Sequence, residues 1–256
     1  MKPLWLGLTG KAGAGKSTVA DALTRLGMER ASFADGIRRC VVAALHPGEP
    51  ERDDSGRLRI GVPGWLVERK DEPIAPSTLH QDIVGQSWFL KRFIAHVARP
   101  VRRCVPLVEA RGEDSAIERT WREALPSITT GRRLLQVLGT DIARRYLGED
   151  IWVRRWEAEH LGEMLSPYVF EDVRFANEAD FLRAHGGVII RLMRSDAESA
   201  DSHETENQEF EADAHVKVGG GDISKLVYLA MDVVAERLGA DARALLDREM
   251  ERRGVQ

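Results

Sequence analysis

Leu4-Trp5-Leu6-Gly7-Leu8-Thr9-Gly10-Lys11-Ala12-Gly13-Ala14-Gly15-Lys16-Ser17-Thr18 runs an apolar stretch straight into a glycine-rich turn. Leu4–Thr9 reads as a short buried strand. Ser17–Leu26 then places Val19, Ala20, Leu23 and Leu26 at helical spacing, and Gly27 stops the helix. Strand, glycine turn and helix, with no proline inside, is the context in which G-x-x-x-x-G-K-S holds phosphate. The glycines let backbone N–H groups turn inward around phosphate oxygens, and the helix adds its positive end. Gly10, Lys11, Ala12, Gly13, Ala14, Gly15, Lys16, Ser17 and Thr18 are therefore expected to bind ATP. Lys16 should reach the β- and γ-phosphates and take a catalytic part. The Ser17 hydroxyl should ligate Mg²⁺.

Outward from this loop, strands alternate with helices. Arg30–Ala34 is a second strand, with Asp35 placed to cap a helix Gly36–Leu45. Thr130–Leu147 carries Leu134, Leu135, Val137, Leu138 and Ile142 on one helical face, and Gly148 ends it. Asp150–Leu165 is a further helix. Tyr168–Asp172 is a strand, Asn177–His185 a helix, Val188–Met193 a strand, His215–Val218 a last strand and Asp222–Leu238 an amphipathic helix. The pattern predicts an α/β fold of the P-loop NTPase kind: three layers, α/β/α, around a mainly parallel five-stranded sheet. In such sheets the ligand lies at the carboxyl ends of the strands.

Residues 46–125 break the alternation. Pro47–Pro76 is rich in proline, glycine and charge, with a short ordered piece expected at Leu58–Val62. His80–Val101 and Ser115–Leu125 read as helices. The expected organisation is a kinase core at 1–45 and 126–256, with a mostly helical, acceptor-side lobe inserted at 46–125. The polar, acidic stretch Ser195–Asp213 has no periodicity and suggests a mobile lid over about 194–214.

Several polar residues fall on the presumed ligand face. Asp172 ends a strand and can support Mg²⁺ there, although an acid after a strand is often a helix cap. Asp35 can orient or deprotonate an acceptor oxygen, with a plain N-cap the equal alternative. Arg38, Arg132, Arg133 and Arg174 sit at strand ends or helix starts, where a guanidinium fork suits a phosphate monoester. Arg191 and Arg194 border the acidic stretch and can neutralise charge on a transferring phosphoryl. His203, Glu204 and Glu206 lack metal-ligand spacing. No Asn-Lys-x-Asp guanine-reading motif is present, which argues against a GTPase switch.

The whole chain of 256 residues has a net charge of −4 and ordinary apolar (43%) and charged (30%) fractions, which exclude disordered and fibrous classes. No global positive field would draw in a nucleic-acid backbone. Cys40 and Cys104 have no metal-ligand spacing and suit a reduced, cytoplasmic setting. No apolar run is long enough for a bilayer. Lys2 with Pro3–Leu8 superficially matches a signal segment, but the run ends in the glycine loop and is read as the first strand.

The blocks Arg132-Arg133-Leu134-Leu135-Gln136-Val137-Leu138-Gly139-Thr140-Asp141, Trp152, and Glu171-Asp172-Val173-Arg174-Phe175-Ala176-Asn177-Glu178 resemble the phage-type deoxynucleoside monophosphate kinases. Ser32-Phe33-Ala34-Asp35 and Lys70-Asp71-Glu72-Pro73 fit the same family, in the family's order. The resemblance implies an adenylate-kinase-like fold and the reaction ATP plus dNMP to ADP plus dNDP, with Mg²⁺. It implies that Asp35, Arg38, Arg132 and Arg174 contact the monophosphate, with Lys70 and Arg133 on the same acceptor side. It implies that Gln136, Asp141, Asn177 and Glu178 shape the nucleoside pocket, and that Arg191 and Arg194 flank the lid. Gly36-Ile37-Arg38 departs from a common Pro-Leu-Lys, and Gly219-Gly220-Gly221 lacks the usual Asn.

The expected function is thus a kinase whose partners are a nucleoside triphosphate and a deoxynucleoside monophosphate, modified pyrimidines among the acceptors. A second reading keeps the chemistry and moves it to the hydroxyl of a hydroxymethylpyrimidine, in a nucleotide or in DNA. A third is a non-catalytic ATP-binding regulatory module. No membrane partner is expected, and a homodimer is compatible with each reading.

Overall fold

β1 (Trp5–Thr9) is buried along its whole length, as a central strand flanked on both sides must be. The computed structural model describes residues 4–45, 51–52, 58–60, 66, 69–74, 87–101, 113–160, 162, 166–194, 210–219 and 223–238. The chain divides into two compact units, Met1–Ser32 with Glu163–Gln256, and Phe33–Gly162.

The first unit holds β1, α1 (Lys16–Thr24), β2 (Glu29–Ala31), β5 (Tyr168–Phe170), α8 (Ala176–Ala184), β6 (Val188–Arg194), β7 (Ala214–Val218) and α9 (Ile223–Leu238). Its sheet is five-stranded, in the order β2-β5-β1-β6-β7, and every pairing is parallel. Strand side chains alternate between faces, and that alternation sorts the two cores. Leu6, Leu8, Val169, Val188, Ile190, Leu192, Val216 and Val218 meet Val19 and Leu23 of α1 and Leu226 and Ala230 of α9 on one face. Trp5 points to the other, where its indole stacks on His185 and tilts against Phe181 of α8. Gly7 lies on that face too: a Cβ there would meet Ile189 Cδ1 at 2.6 Å and Leu182 Cδ1 at 2.8 Å. Parallel strands with helices on both faces is the expected architecture.

Several boundaries shift by a few residues, the strand expected at Tyr168–Asp172 ends at Phe170, and two shifts bear on the site. β2 ends at Ala31 rather than Ala34. The helix that follows begins at Phe33, so Asp35 lies inside its first turn and is not its cap. The cause is burial and bonding at the turn. Phe33 is buried, and the buried Ser32 spends its hydroxyl on the Asp172 carboxylate at 2.7 Å.

The second unit contains α2 (Phe33–Leu45), a two-stranded antiparallel pair β3 (Glu51–Arg52) and β4 (Leu58–Ile60), α3 (Ser87–Val101) and α4 (Glu113–Ala124). A 3₁₀ turn (Leu125–Ser127) leads to α5 (Gly131–Gln136), a π-helical segment (Val137–Arg144), α6 (Arg145–Leu147) and α7 (Ile151–Glu159). Phe89, Phe93, Val97, Leu134, Leu138, Ile142 and Trp152 are buried here. Thr130 caps α5, its hydroxyl accepting from the Arg133 N–H at 3.1 Å. The helix expected over Thr130–Leu147 is present, but its middle is widened to π geometry. Two tertiary contacts explain this. The Trp152 indole donates to the Gly139 carbonyl at 3.0 Å, drawing an acceptor from the helical ladder. Ile37 packs so closely on Gly139 that a Cβ there would lie 2.6 Å from its Cδ1. The N-terminal part of the helix expected at His80–Val101, the end of that expected at Asp150–Leu165, most of the lid stretch and the tail beyond Leu238 lie outside the described residues.

α3 contains Pro100, which has no N–H and so cannot bond the His96 carbonyl four residues back. Arg155 of α7 supplies the missing donor, its Nη1 bonding the His96 carbonyl and, at 3.3 Å, that of Val97. The same guanidinium pairs with Glu159 at 2.5 Å, which also receives Arg39 at 3.2 Å.

Candidate active site

The loop between β1 and α1 is built on positive-φ glycines. Gly10, Gly13 and Gly15 have φ of 138°, 76° and 90°, values that side chains other than glycine's resist. At Gly10 there is also no room: a Cβ would stand 2.3 Å from the Leu192 carbonyl oxygen of β6. Inside the loop the Ala14 N–H bonds the Lys11 carbonyl at 3.1 Å. Lys16 folds back over it, its Nζ donating to the Gly10 and Lys11 carbonyls at 2.7 and 2.8 Å. An ammonium is thereby held against the backbone of the glycine loop. α1 starts from Gly15 with no side-chain cap, so its first N–H groups are left to an incoming anion. Ser17 and Thr18 are exposed in that first turn. Arg194, at the end of β6, reaches across to the Gly13 carbonyl at 3.3 Å. That strand end and the glycine loop therefore form one cluster.

Asp172 lies two residues beyond the end of β5 at Phe170, its carboxylate accepting from the Ser32 hydroxyl. Next to it, Thr9 donates to the Val173 carbonyl at 2.8 Å, tying the ends of β1 and β5 together. Buried Arg30 bridges Asp21 of α1 to Glu171, beside Asp172. The hard oxygens of Ser17 and Asp172 are the donor types Mg²⁺ takes, alongside water and phosphate. Among the described residues no cluster of three or more His, Cys, Asp and Glu could hold a metal by itself.

Glu178 is buried, and its carboxylate accepts the Arg174 and Phe175 N–H groups at 2.8 and 3.2 Å. It fixes the entry to α8 and so places Arg174 at that entry. Asn177 is half-buried in the first turn of the same helix. Arg191 pairs in register with Thr9 of β1. Its Nη2 donates to the Phe210 carbonyl at 2.9 Å, while its Nε is buried with no partner among the described residues.

The remaining candidates belong to the second unit. Asp35 is buried and accepts from Arg38 Nη1 at 2.8 Å. Arg132 meets Asp71 through two donors, Nε and Nη2, the latter at 3.1 Å. Arg133 donates to the Ser127 hydroxyl at 3.2 Å and lies 3.8 Å from Asp141. Lys70 adjoins Arg132, its carbonyl accepting the Arg132 N–H at 2.7 Å. Gln136 closes α5, one turn beyond Arg132 and Arg133. Arg38, Arg132 and Arg133 of this unit thus each lie beside a carboxylate. Residue spacing alone assigns no role to Ser32, Arg30 or Asp71. Their partners lie 140, 141 and 61 residues away, beyond any local spacing.

Among the described residues no helix is long and apolar enough to cross a membrane. The protein-family model described as deoxynucleotide monophosphate kinase matches residues 5–226. The chain is 35% identical over 91 residues to the deoxynucleotide monophosphate kinase of Escherichia phage RB69, covering 33% of this chain and 37% of that protein. It is 35% identical over 78 residues to the enzyme of the same name from Enterobacteria phage T4, covering 29% and 32% respectively. The aligned stretches thus span well under two thirds of those relatives. The family match, in contrast, takes in β1, the glycine loop and every strand of the sheet, and the chain belongs to the deoxynucleotide monophosphate kinase family.

Proposed function

We propose that the protein transfers the γ-phosphate of ATP to a deoxynucleoside 5′-monophosphate, giving ADP and the diphosphate. The observation that carries this reading is the glycine loop: Lys16 Nζ bonds the Gly10 and Lys11 carbonyls beside a helix start without a side-chain cap, and Arg194 bonds the same loop. Gly10–Thr18 hold the triphosphate, and Lys16 contacts its β- and γ-phosphates. Ser17 and Asp172 hold Mg²⁺, which neutralises charge developing on the phosphates. Arg191 and Arg194 stabilise the transferring phosphoryl. The acceptor is already a nucleophilic phosphate oxygen and needs little base catalysis, so Asp35 acts chiefly by holding Arg38. Arg38, Lys70, Arg132, Arg133 and Arg174 bind the acceptor phosphate; Gln136, Asp141 and Asn177 shape the nucleoside site. Glu178 serves that site by holding the backbone of Arg174 and Phe175. Exclusion of water by the stretch at about 194–214 would suppress ATP hydrolysis. The protein acts as a cytoplasmic enzyme in this reading.

A coupled ADP-release assay with Mg·ATP against the four standard dNMPs, 5-hydroxymethyl-dCMP and 5-hydroxymethyl-dUMP tests it. Turnover with at least one monophosphate is expected. Silence across the panel, with ATP bound, would leave a nucleotide-binding module and refute the proposal.

A further inference from the structure

Asp71 is an exposed carboxylate, with 60% of its side chain accessible, yet it makes the two-donor fork to Arg132, itself 25% accessible. An ion pair so open to water contributes little to stability. Its geometry is nevertheless heavily determined. The Lys70 carbonyl takes the Arg132 N–H at 2.7 Å, the Ile74 N–H bonds the Thr129 carbonyl at 2.8 Å, and Pro73 bridges to Thr130 in antiparallel fashion. Residues 70–74 are therefore stitched to the start of α5 by backbone bonds on both sides of Asp71. Thr130 in turn caps that helix through the Arg133 N–H. A planar guanidinium has five N–H donors in fixed directions. Nε on one carboxylate oxygen and Nη2 on the other together orient the plane of the guanidinium. The hydrogen bond from the Arg132 guanidinium also holds the Asp71 carboxyl below the usual carboxylate range.

We infer that Asp71 is a positioning residue for acceptor binding: it pre-orients Arg132 toward the phosphate of the incoming monophosphate. The inference rests on the reading of Arg132 as an acceptor-phosphate ligand. An arginine that is already ordered loses less side-chain freedom on binding, and a small misplacement of a phosphate clamp is costly.

The test uses the full chain with substitutions Asp71→Asn, Asp71→Glu, Arg132→Ala and the Asp71→Asn, Arg132→Ala double variant. Each standard dNMP is titrated by calorimetry, and KM is measured for dNMP and for ATP. Asp71→Asn is expected to raise the Kd and KM for dNMP about tenfold, leaving the ATP KM and the melting temperature unchanged. Asp71→Glu should recover part of the loss, and Asp71→Asn should add nothing in the Arg132→Ala background. The inference is overturned if Asp71→Asn leaves dNMP binding intact while Arg132→Ala weakens it. Tighter dNMP binding in Asp71→Asn overturns it too, because the carboxylate would then merely compete with phosphate. Intact dNMP binding in Arg132→Ala overturns the Arg132 assignment and the inference with it. Absence of dNMP binding in the unsubstituted protein is a different result, which refutes the kinase reading.

Discussion

Replacing Gly10 by Ala separates backbone strain from crowding within one loop. The φ of Gly10 is 138°, and the new Cβ would lie 2.3 Å from the Leu192 carbonyl oxygen, where ordinary contact begins at 3.4 Å. That oxygen belongs to the backbone of β6, flanked by β1 and β7, so it cannot swing aside as a side-chain tip would. Gly13 and Gly27 are the controls: φ is 76° and 88°, with nothing within 4 Å of a built Cβ. Alanine at either control should cost about 1–2 kcal/mol of left-handed strain alone. Gly10→Ala carries strain of about 1–3 kcal/mol plus displacement of the loop from β6, so at least ~3 kcal/mol is expected. At roughly 2–4 °C per kcal/mol for a chain of this size, the control variants should lose a few degrees and Gly10→Ala about 6–12 °C. Thermal unfolding without nucleotide measures this cleanly, since no ligand contact enters. If Gly10→Ala melts no lower than Gly13→Ala, the approach of the loop to β6 is not as described.

The buried guanidinium of Arg155 should matter more than any surface pair. Arg155→Ala leaves the Glu159 carboxylate with Arg39 alone and strands the carbonyl that Pro100 orphans, at about 3–5 kcal/mol. Pro100→Ala should recover part of that loss by restoring an N–H, and an unchanged melting temperature in Arg155→Ala would sink the account. Cys40 is buried, and desolvation foremost, with Glu159 adding and Arg155 and Arg39 opposing, pushes its thiol up to about 12. In a Cys104→Ser background a disulfide reagent at pH 8 should leave native Cys40 untouched and label it once unfolded; rapid native labelling would contradict the burial. A raised thiol pKa stabilises the fold fully below the unfolded value of ~8.5, and that contribution falls as pH climbs from there toward the folded value.

Local pattern carried the fold where the chemistry is local. The apolar run Leu4–Thr9, the glycine loop and the periodicities of α1 and α9 are each written within a few residues. They place the strands and the phosphate loop without reference to distant partners. What escaped depends on contacts far apart in the chain. The π segment needs Ile37 and Trp152 against Gly139. The start of α2 depends on Ser32 bonding Asp172, and Arg30 finds Asp21 and Glu171 only once β2 lies beside β5. Asp35 read as a cap because an acid after a strand usually is one; burial of Phe33 moved the helix start two residues ahead of it. Glu178 read as a pocket residue, and the bonds its carboxylate accepts from the Arg174 and Phe175 N–H groups were not legible in that reading. The candidate site was legible as a set of residue types, and its supporting bonds were not.

The central claim is phosphoryl transfer by the glycine loop. Its most direct test is a single-turnover reaction of the protein with γ-labelled ATP, Mg²⁺ and a dNMP, run beside Lys16→Ala. The account predicts label in the deoxynucleoside diphosphate, dependent on Mg²⁺ and lost in Lys16→Ala. Label that stays in ATP, or appears only as inorganic phosphate, would contradict it.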